Sequence, residues 1–132
     1  MSDAASQSKA EAELEPGWVR WRQEFHRFPE TGFNERQTAN YVAKVLQMLG
    51  LEVHRGIGGT GVVASLTVGS GKGVFGLRAD MDALAMTETA ENRPYASTNP
   101  GCMHACGHDG HMAMLLGAAQ LLSRRRDFDG TV

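Results

Sequence analysis

A change of hydrophobic period at Gly50 constrains the fold more than any other feature of the sequence. Before this glycine, apolar residues recur every three or four positions, which predicts an amphipathic helix with one buried face. That apolar face consists of Tyr41, Val42, Val45, Leu46 and Leu49. Asn34 followed by Gln37 predicts a capping box where the helix starts, and Gly50 predicts a left-handed cap where it ends. After Gly50 the pattern becomes that of strands, so the domain packs helices against a sheet.

Three short runs after Gly50 predict these strands. Residues 51–57 and 62–68 flank a glycine-rich turn, and the second run is rich in β-branched residues. Residues 74–79 form an apolar run that is typical of a strand covered on both faces. This third strand would deliver Asp80 and Asp82 to its C-terminal end, which is where ligands bind in open α/β sheets.

Two further helices complete the predicted order helix, helix, strand, strand, strand, helix. An aromatic periodicity closed by Pro29 predicts the first helix, in which we interpret His26 as a packing residue. Residues 109–126 predict the last helix, which is apolar almost all round and is therefore expected to be buried. We interpret its Met112 and Met114 as core residues. This order of elements indicates an α/β layered domain.

Charge and hydropathy exclude several classes of partner. The net charge of −2 and the lack of a long basic run leave no electrostatic footprint for nucleic acid or an anionic membrane, so we expect a small-molecule partner. The longest nearly apolar stretch, residues 112–122, is much shorter than the roughly 20 residues that span a bilayer. Residues 1–16 are polar and do not resemble a signal peptide, so they predict a disordered tail on a cytoplasmic protein.

The residues that carry chemistry are concentrated between positions 101 and 111. This segment holds both cysteines and three of the five histidines. Cys106 and His108 stand two residues apart, so a thiolate and an imidazole can face one cation of the zinc, manganese or nickel type. The helix that follows has a dipole that favours the thiolate of Cys106, and both residues are predicted metal ligands. Cys102 is expected to stay reduced and unliganded, with a disulfide to Cys106 as the alternative.

Further polar groups are candidates for the same site. Asp80 and Asp82 could approach from the end of the third strand, either as ligands or as groups that orient a ligating histidine. His104, Asp109 and His111 are candidates to support the ligands from behind or to contact substrate. Two ligands do not close a catalytic metal site, so the remaining ligands are expected beyond residue 132.

Five stretches resemble successive motifs of the M20 metallopeptidase family, in order and with compatible spacing. They are residues 22–30, 59–61, 77–84, 94–97 and 103–111. Within that family the chain resembles the aminoacylase-like, hippurate hydrolase and auxin-conjugate hydrolase branch. Because several independent motifs agree across most of residues 17–132, the resemblance is specific.

The resemblance implies that residues 17–132 are the N-terminal part of a zinc-peptidase-like layered catalytic domain, truncated and without the family's lid domain. It also implies two divalent metal ions, of zinc, manganese, nickel or cobalt, with Cys106 and His108 as ligands. Asp82 would be the catalytic acidic residue beside them. A glutamate base and further ligands would follow residue 132, and the full-length form could be a homo-oligomer.

Three functional hypotheses follow. The first is metal-dependent hydrolysis of the amide bond of a small N-acyl amino acid substrate. The second is a truncated, catalytically inactive fragment of such an enzyme, with at most residual metal binding and an unpaired sheet edge. A redox role of Cys102 and Cys106 is the third, because their spacing is one residue longer than the Cys-x-x-Cys motif.

Overall fold

The computed structural model describes residues 17–89 and 92–132. The helices in this part of the chain are α1 at 17–27, α2 at Arg36–Met48 and α3 at His108–Arg125. The strands are β1 at Glu52–Ile57, β2 at Gly61–Ser65, β3 at Thr67–Val68 and β4 at Gly130–Thr131. The predicted α/β class is confirmed, whereas the predicted tail, residues 1–16, lies outside the described residues. None of the described helices is long and apolar enough to cross a membrane.

The strands form two antiparallel pairs. β1 and β2 make a hairpin in which Val53 lies opposite Ala64, and β3 pairs with β4. The predicted strand at 62–68 therefore divides at Leu66, where the chain changes partner. The backbone N–H and C=O of Leu66 bond to those of Val132 at 2.9 and 3.0 Å. This one run of β-branched residues therefore pairs first with β1 and then with β4. A local sequence pattern does not show where the pairing changes.

Helix α2 begins without the predicted capping box. Its N-cap residue is Glu35, and the cap makes no side-chain hydrogen bond to the helix. Instead, the Glu30 carboxylate accepts hydrogen bonds from the backbone N–H groups of Gln37 and Thr38, at 3.1 and 2.8 Å. This carboxylate satisfies free N–H groups of the first turn and complements the helix dipole. The prediction was wrong because a residue outside the four-residue motif supplies the cap.

The predicted cap at the other end of α2 is confirmed. Gly50 has a left-handed φ of 82°, a conformation that glycine adopts without a steric cost. The next N–H group, that of Leu51, donates to the carbonyl of Leu46 at 3.2 Å and so satisfies one of the last free carbonyls of the helix. This cap turns the chain directly into β1.

One apolar core joins the three helices to the hairpin. Its buried members are Phe25, Val42, Val45, Leu46, Met112, Leu116 and Ala119. Each fully buried Val, Leu, Phe or Met side chain stabilises the fold by about 1.5–3 kcal/mol. Met112 is a core residue as predicted, but the prediction for Met114 was wrong, because 66% of its surface is exposed. Helix α3 is therefore buried along one side rather than all round.

The run at 74–79 is extended but is not the covered strand that its composition predicted. Val74 makes one isolated parallel bridge to Thr131, and no ladder continues along the segment among the described residues. The side chains of Val74, Phe75 and Leu77 are 80, 65 and 45% exposed. Apolar composition indicates that a segment favours burial. Whether the segment is buried depends on which other elements pack against it. The segment still delivers Asp80 and Asp82 to one place.

Candidate metal centre

Helix α3 starts at the segment that contains the predicted ligands. Gly107 is its N-cap residue and has a left-handed φ of 80°, so the chain turns sharply just before His108. His108 and His111 are three residues apart and lie on one face of the first turn, with ring centroids 5.3 Å apart. A sharp turn followed by a helix therefore brings two imidazoles to the same point.

Asp80 completes a cluster with these two histidines. One possible ligand atom from each of Asp80, His108 and His111 lies within 4.8 Å of the other two. A carboxylate and two imidazoles are a donor set that suits zinc, manganese, nickel or cobalt. Asp80 is distant in sequence from His108 and His111, so the fold rather than the order of the chain brings the three groups together.

Asp82 fixes the orientation of His108. The Nδ1 atom of His108 lies 2.9 Å from the backbone oxygen of Asp82 and 3.0 Å from its Oδ1 atom. Both partners are acceptors, so Nδ1 carries the proton and donates to Asp82. In the neutral imidazole the Nε2 atom is then left with a free lone pair. A histidine whose second nitrogen donates to a carboxylate is the usual arrangement of a metal-ligating histidine.

Short backbone pairings hold Asp82 in place. Ala83 bridges to Thr31 in parallel fashion, and its N–H donates to the carbonyl of Glu30 at 2.8 Å. Leu84 pairs with Met103 in antiparallel fashion, so the acidic segment lies beside the segment that leads into α3. These bridges explain how two stretches that are distant in sequence meet at one site.

Asp80 has a competing partner at the surface. The guanidinium of Arg78 lies 2.6 Å from its Oδ1 atom, but the Arg78 side chain is 86% exposed. Exposed ion pairs contribute little to stability, so this contact can open at small cost when a cation binds. The Asp80 carboxylate therefore remains available as a ligand.

The two cysteines lie in different environments, and neither forms a disulfide. Cys102 is buried, whereas Cys106 is exposed. Burial raises the pKa of the Cys102 thiol, which disfavours its thiolate and agrees with its predicted reduced, unliganded state. The alternative of a disulfide to Cys106 is absent from the structure. Among the described residues, the close cluster of ligand atoms contains Asp80, His108 and His111 and does not include Cys106.

Asp109 and His104 lie behind this cluster, inside the protein. Asp109 is fully buried, and its Oδ2 atom accepts hydrogen bonds from Arg22 at 3.0 Å and from His26 at 2.8 Å. His104 is 4% exposed, and neither of its ring nitrogens has a hydrogen-bond partner within the described protein. Burial lowers the pKa of His104, against the opposing effect of the Asp109 carboxylate. Neither residue belongs to the close ligand-atom cluster.

Asp109 is part of a polar network that the sequence did not reveal. The network, called here the buried ion network, consists of Arg22, His26, Glu88, Arg93 and Asp109. Burial by itself would raise the pKa of Glu88. The hydrogen bond from the Ser97 N–H and the nearby His26 and Arg93 outweigh that effect and lower the pKa below its ordinary value. The Arg22 and His26 side chains share one face of α1 at four-residue spacing, which is the one local signal of this network.

Comparisons with known proteins relate this chain to one family. Residues 76–132 match the sequence model of peptidase family M20/M25/M40. The structure also matches that of the Bacillus subtilis YXEP protein, a dinuclear metal-binding peptidase of family M20, with a TM-score of 0.85 and 36% identity. That match covers 92% of this chain and 34% of the other. In sequence and in structure the chain is similar to peptidase family M20/M25/M40. The family resemblance predicted from the motifs is confirmed.

Two relatives with similar sequences carry names from the branch that the motifs resemble. The hippurate hydrolase of Campylobacter jejuni is 45% identical over 120 residues, which cover 91% of this chain and 31% of that protein. The N-acyl-L-amino acid amidohydrolase of Geobacillus stearothermophilus is 48% identical over 118 residues, covering 87% of this chain and 31% of that protein. This chain therefore spans about a third of the length of the relatives that it matches.

Proposed function

We propose that this M20 chain is the metal-binding part of a hydrolase that cleaves the amide bond of N-acyl amino acids. The observation that carries the proposal is the fixed tautomer of His108. Its Nδ1 donates to Asp82, which leaves Nε2 to bind a cation beside Asp80 and His111. The names of the two relatives, a hippurate hydrolase and an N-acyl-L-amino acid amidohydrolase, support this class of substrate.

Each candidate residue has a role in this proposal. His108 and Cys106 are ligands, and the exposed Cys106 lies in the turn that precedes α3. Asp80 and His111 supply further donor atoms, and Asp82 holds the His108 ring. The dinuclear YXEP protein supports a site for two ions. Bound divalent cations would supply Lewis acidity toward the amide carbonyl and the attacking water.

Asp82 is the group that we assign to catalysis. Its Oδ1 atom accepts a hydrogen bond from Nδ1–H of His108, and its side chain is 38% exposed, so solvent and substrate can reach it. In this position it can stabilise a developing positive charge on His108 and hold the ring in one orientation. We also propose a small-molecule partner, because the net charge of −2 leaves no basic surface for nucleic acid. A cytoplasmic location is proposed because both cysteines are free thiols.

A second candidate function is metal binding without turnover. Two observations favour it: the chain spans about a third of its relatives, and Val74, Phe75 and Leu77 lie exposed along the extended segment. In this case the cluster of Asp80, His108 and His111 still binds a cation, but the 132-residue chain does not release amino acids.

One experiment separates the two candidates. Isothermal titration of the 132-residue chain with Zn²⁺ and Mn²⁺ measures binding, and the release of amino acid from N-acetyl and N-benzoyl amino acids measures turnover. We compare His108→Ala and Cys106→Ala with His54→Ala, a control whose side chain is 56% exposed on β1. Turnover that both site variants abolish supports the hydrolase. Binding without turnover supports the second candidate, and an absence of metal binding contradicts both.

A further inference from the structure

His26 links α1 to the first turn of α3 inside the protein. It is 2% exposed, and its Nδ1 atom lies 2.8 Å from Oδ2 of Asp109, which is itself fully buried. An ionised carboxylate accepts hydrogen bonds but does not donate them, so Nδ1–H is the donor. This hydrogen bond therefore has the same direction whatever the state of the second ring nitrogen.

The second ring nitrogen of His26 reaches a different part of the chain. Its Nε2 atom lies 3.2 Å from Oε1 of Glu88 and 3.3 Å from Nη1 of Arg93, in the long loop that precedes the Cys/His segment. The Tyr95 ring packs edge-on against the imidazole, with ring centroids 5.6 Å apart. Because each nitrogen has its own partner, the two contacts can be removed one at a time.

Asp109 connects His26 to the candidate ligands because it directly follows His108. Neighbouring residues on an α-helix project about 100° apart, so one side chain faces α1 while the other faces Asp82. The first turn of α3 is thereby held from two directions. Without the contact to His26, the only side-chain hydrogen bond that Asp109 keeps among the described residues is the one from Arg22, whose side chain is 42% exposed. We expect the first turn, and with it the His108 and His111 rings, to be held less firmly.

A purely structural role would not require a hydrogen bond at this position. Well-packed apolar residues often stabilise a core as much as a buried ion pair does, because the charges must be desolvated. A hydrogen bond differs from apolar packing in that it is directional and weakens steeply when the donor turns away. The Nδ1 contact is therefore suited to setting the angle at which α3 presents its first turn.

We propose that His26 is a positioning residue for the candidate metal centre and that it acts through its Nδ1 hydrogen bond to Asp109. The inference rests on the proposed metal-binding function. It differs from the packing role predicted for a histidine on an aromatic helical face. In this role His26 orients His108 and His111 indirectly, by holding the turn that carries them.

Two amide substitutions separate the contributions of the ring nitrogens. His26→Asn places an amide NH₂ where Nδ1 lies and removes the group at Nε2, while His26→Gln does the reverse. The matched control is His54→Gln, at an exposed histidine on β1. Zn²⁺ affinity is measured by isothermal titration, the geometry of the site by the absorption of bound Co²⁺, and folding by circular dichroism with urea unfolding.

We expect all three variants to fold. His26→Gln should weaken Zn²⁺ binding by about 10-fold, the lower end of the effect of removing a direct partner of a ligand, because His26 acts through Asp109. It should also alter the Co²⁺ spectrum. His26→Asn and His54→Gln should retain wild-type affinity and spectrum. This asymmetry between Asn and Gln is the signature of an Nδ1 contact, since loss of packing would affect both.

The remaining outcomes overturn the inference. Equal losses in His26→Asn and His26→Gln would mean that the ring matters for its volume, and unchanged affinity in both would mean that it does not position the site. Failure of His26→Gln to fold would assign the contact to stability. If the wild-type chain binds no Zn²⁺, the proposed function fails as well; if it binds and the asymmetry is absent, only this inference fails.

Discussion

Two polar clusters meet at the start of α3, and they use their charges in opposite ways. In the candidate metal cluster of Asp80, His108 and His111, His111 is exposed and the ligand atoms crowd together within 4.8 Å. In the buried ion network, the side chains of His26, Asp109 and Glu88 are 2, 1 and 4% exposed and are bonded to one another or to arginines. Adjacent residues, His108 and Asp109, belong to different clusters.

The difference shows how one turn of helix can serve both binding and stability. Buried carboxylates must be paired, because an unpaired buried charge costs several kcal/mol, roughly 3–5 when one partner is removed. Burial alone would raise the pKa of Asp109, but the hydrogen bonds from His26 and the Gly110 N–H and the charge of Arg22 lower it below its ordinary value. A binding site instead keeps lone pairs available. Three predictions test this division, from the largest effect to the smallest.

Removing the Asp109 carboxylate should affect stability most. Asp109→Ala leaves Arg22 and the buried His26 without their shared acceptor, so the free energy of unfolding should fall by about 3–5 kcal/mol. Urea denaturation followed by circular dichroism measures this change. Asp127→Ala, at an exposed aspartate, serves as the control and should stay within about 0.5 kcal/mol of wild type. An equally small loss in Asp109→Ala would show that the network does not stabilise the fold.

Removing the Asp82 carboxylate should have the contrasting effect, on metal affinity rather than on stability. Asp82→Ala deletes the acceptor at Oδ1 that orients His108, so Zn²⁺ binding should weaken by about 10- to 100-fold. Because the Asp82 side chain is 38% exposed, urea unfolding should change little. The measurement is isothermal titration, with Asp127→Ala again as the control. A large loss of stability without a loss of affinity would reverse the proposed division between the clusters.

Acid should weaken the buried ion network once the pH falls below the ordinary pKa values of its carboxylates. Both Asp109 and Glu88 have pKa values below the ordinary 3.8 and 4.5, so their pairing stabilises the protein above those values. This stabilisation should disappear as the pH falls from about 4.5 through the lowered values of the folded protein. Urea unfolding measured between pH 7 and pH 3 tests the prediction.

Paired variants make the pH experiment specific. Glu88→Gln removes one titrating group of the network, so the acid-dependent part of the free energy of unfolding should shrink. Glu52→Gln replaces a carboxylate whose side chain is 74% exposed on β1, and it should leave the pH profile as in wild type. Identical profiles in wild type and Glu88→Gln would argue against a role of Glu88 in acid stability.

The helices and strands were largely predictable from the sequence, whereas several of the residues and segments that contact them were not. The helices follow from an apolar period of three to four residues and the hairpin from the strand patterns on either side of a glycine-rich turn. The Gly50 cap follows from a glycine at the end of the helical period. The capping box at Asn34 was wrong because the acceptor is Glu30, which lies on the preceding loop. The covered strand at 74–79 was wrong for a related reason, since apolar composition predicts a preference for burial but not the element that provides it.

The candidate metal centre was likewise predictable only in part. The spacing of Cys106 and His108 and the position of the two acids after an apolar run predicted a metal centre at the start of the last helix, and this stays a prediction. The structure brings Asp80 to His108 and His111, and it bonds Asp82 to His108. No spacing rule links His26 to an aspartate 83 residues further along the chain. The clustering of cysteines and histidines carried that prediction, whereas a lone histidine on an aromatic helix carried no comparable signal.

The sequence by itself determined the α/β class, the helices and strands that form the core, and the motifs of the M20 family. These depend on local backbone preferences and on residues held close by chain connectivity. Only the tertiary structure decided that His108 faces Asp82 while Asp109 faces His26. The physical reason is that helix geometry fixes the angle between neighbouring side chains, but the groups that meet each of them come from distant segments whose packing is a property of the whole fold.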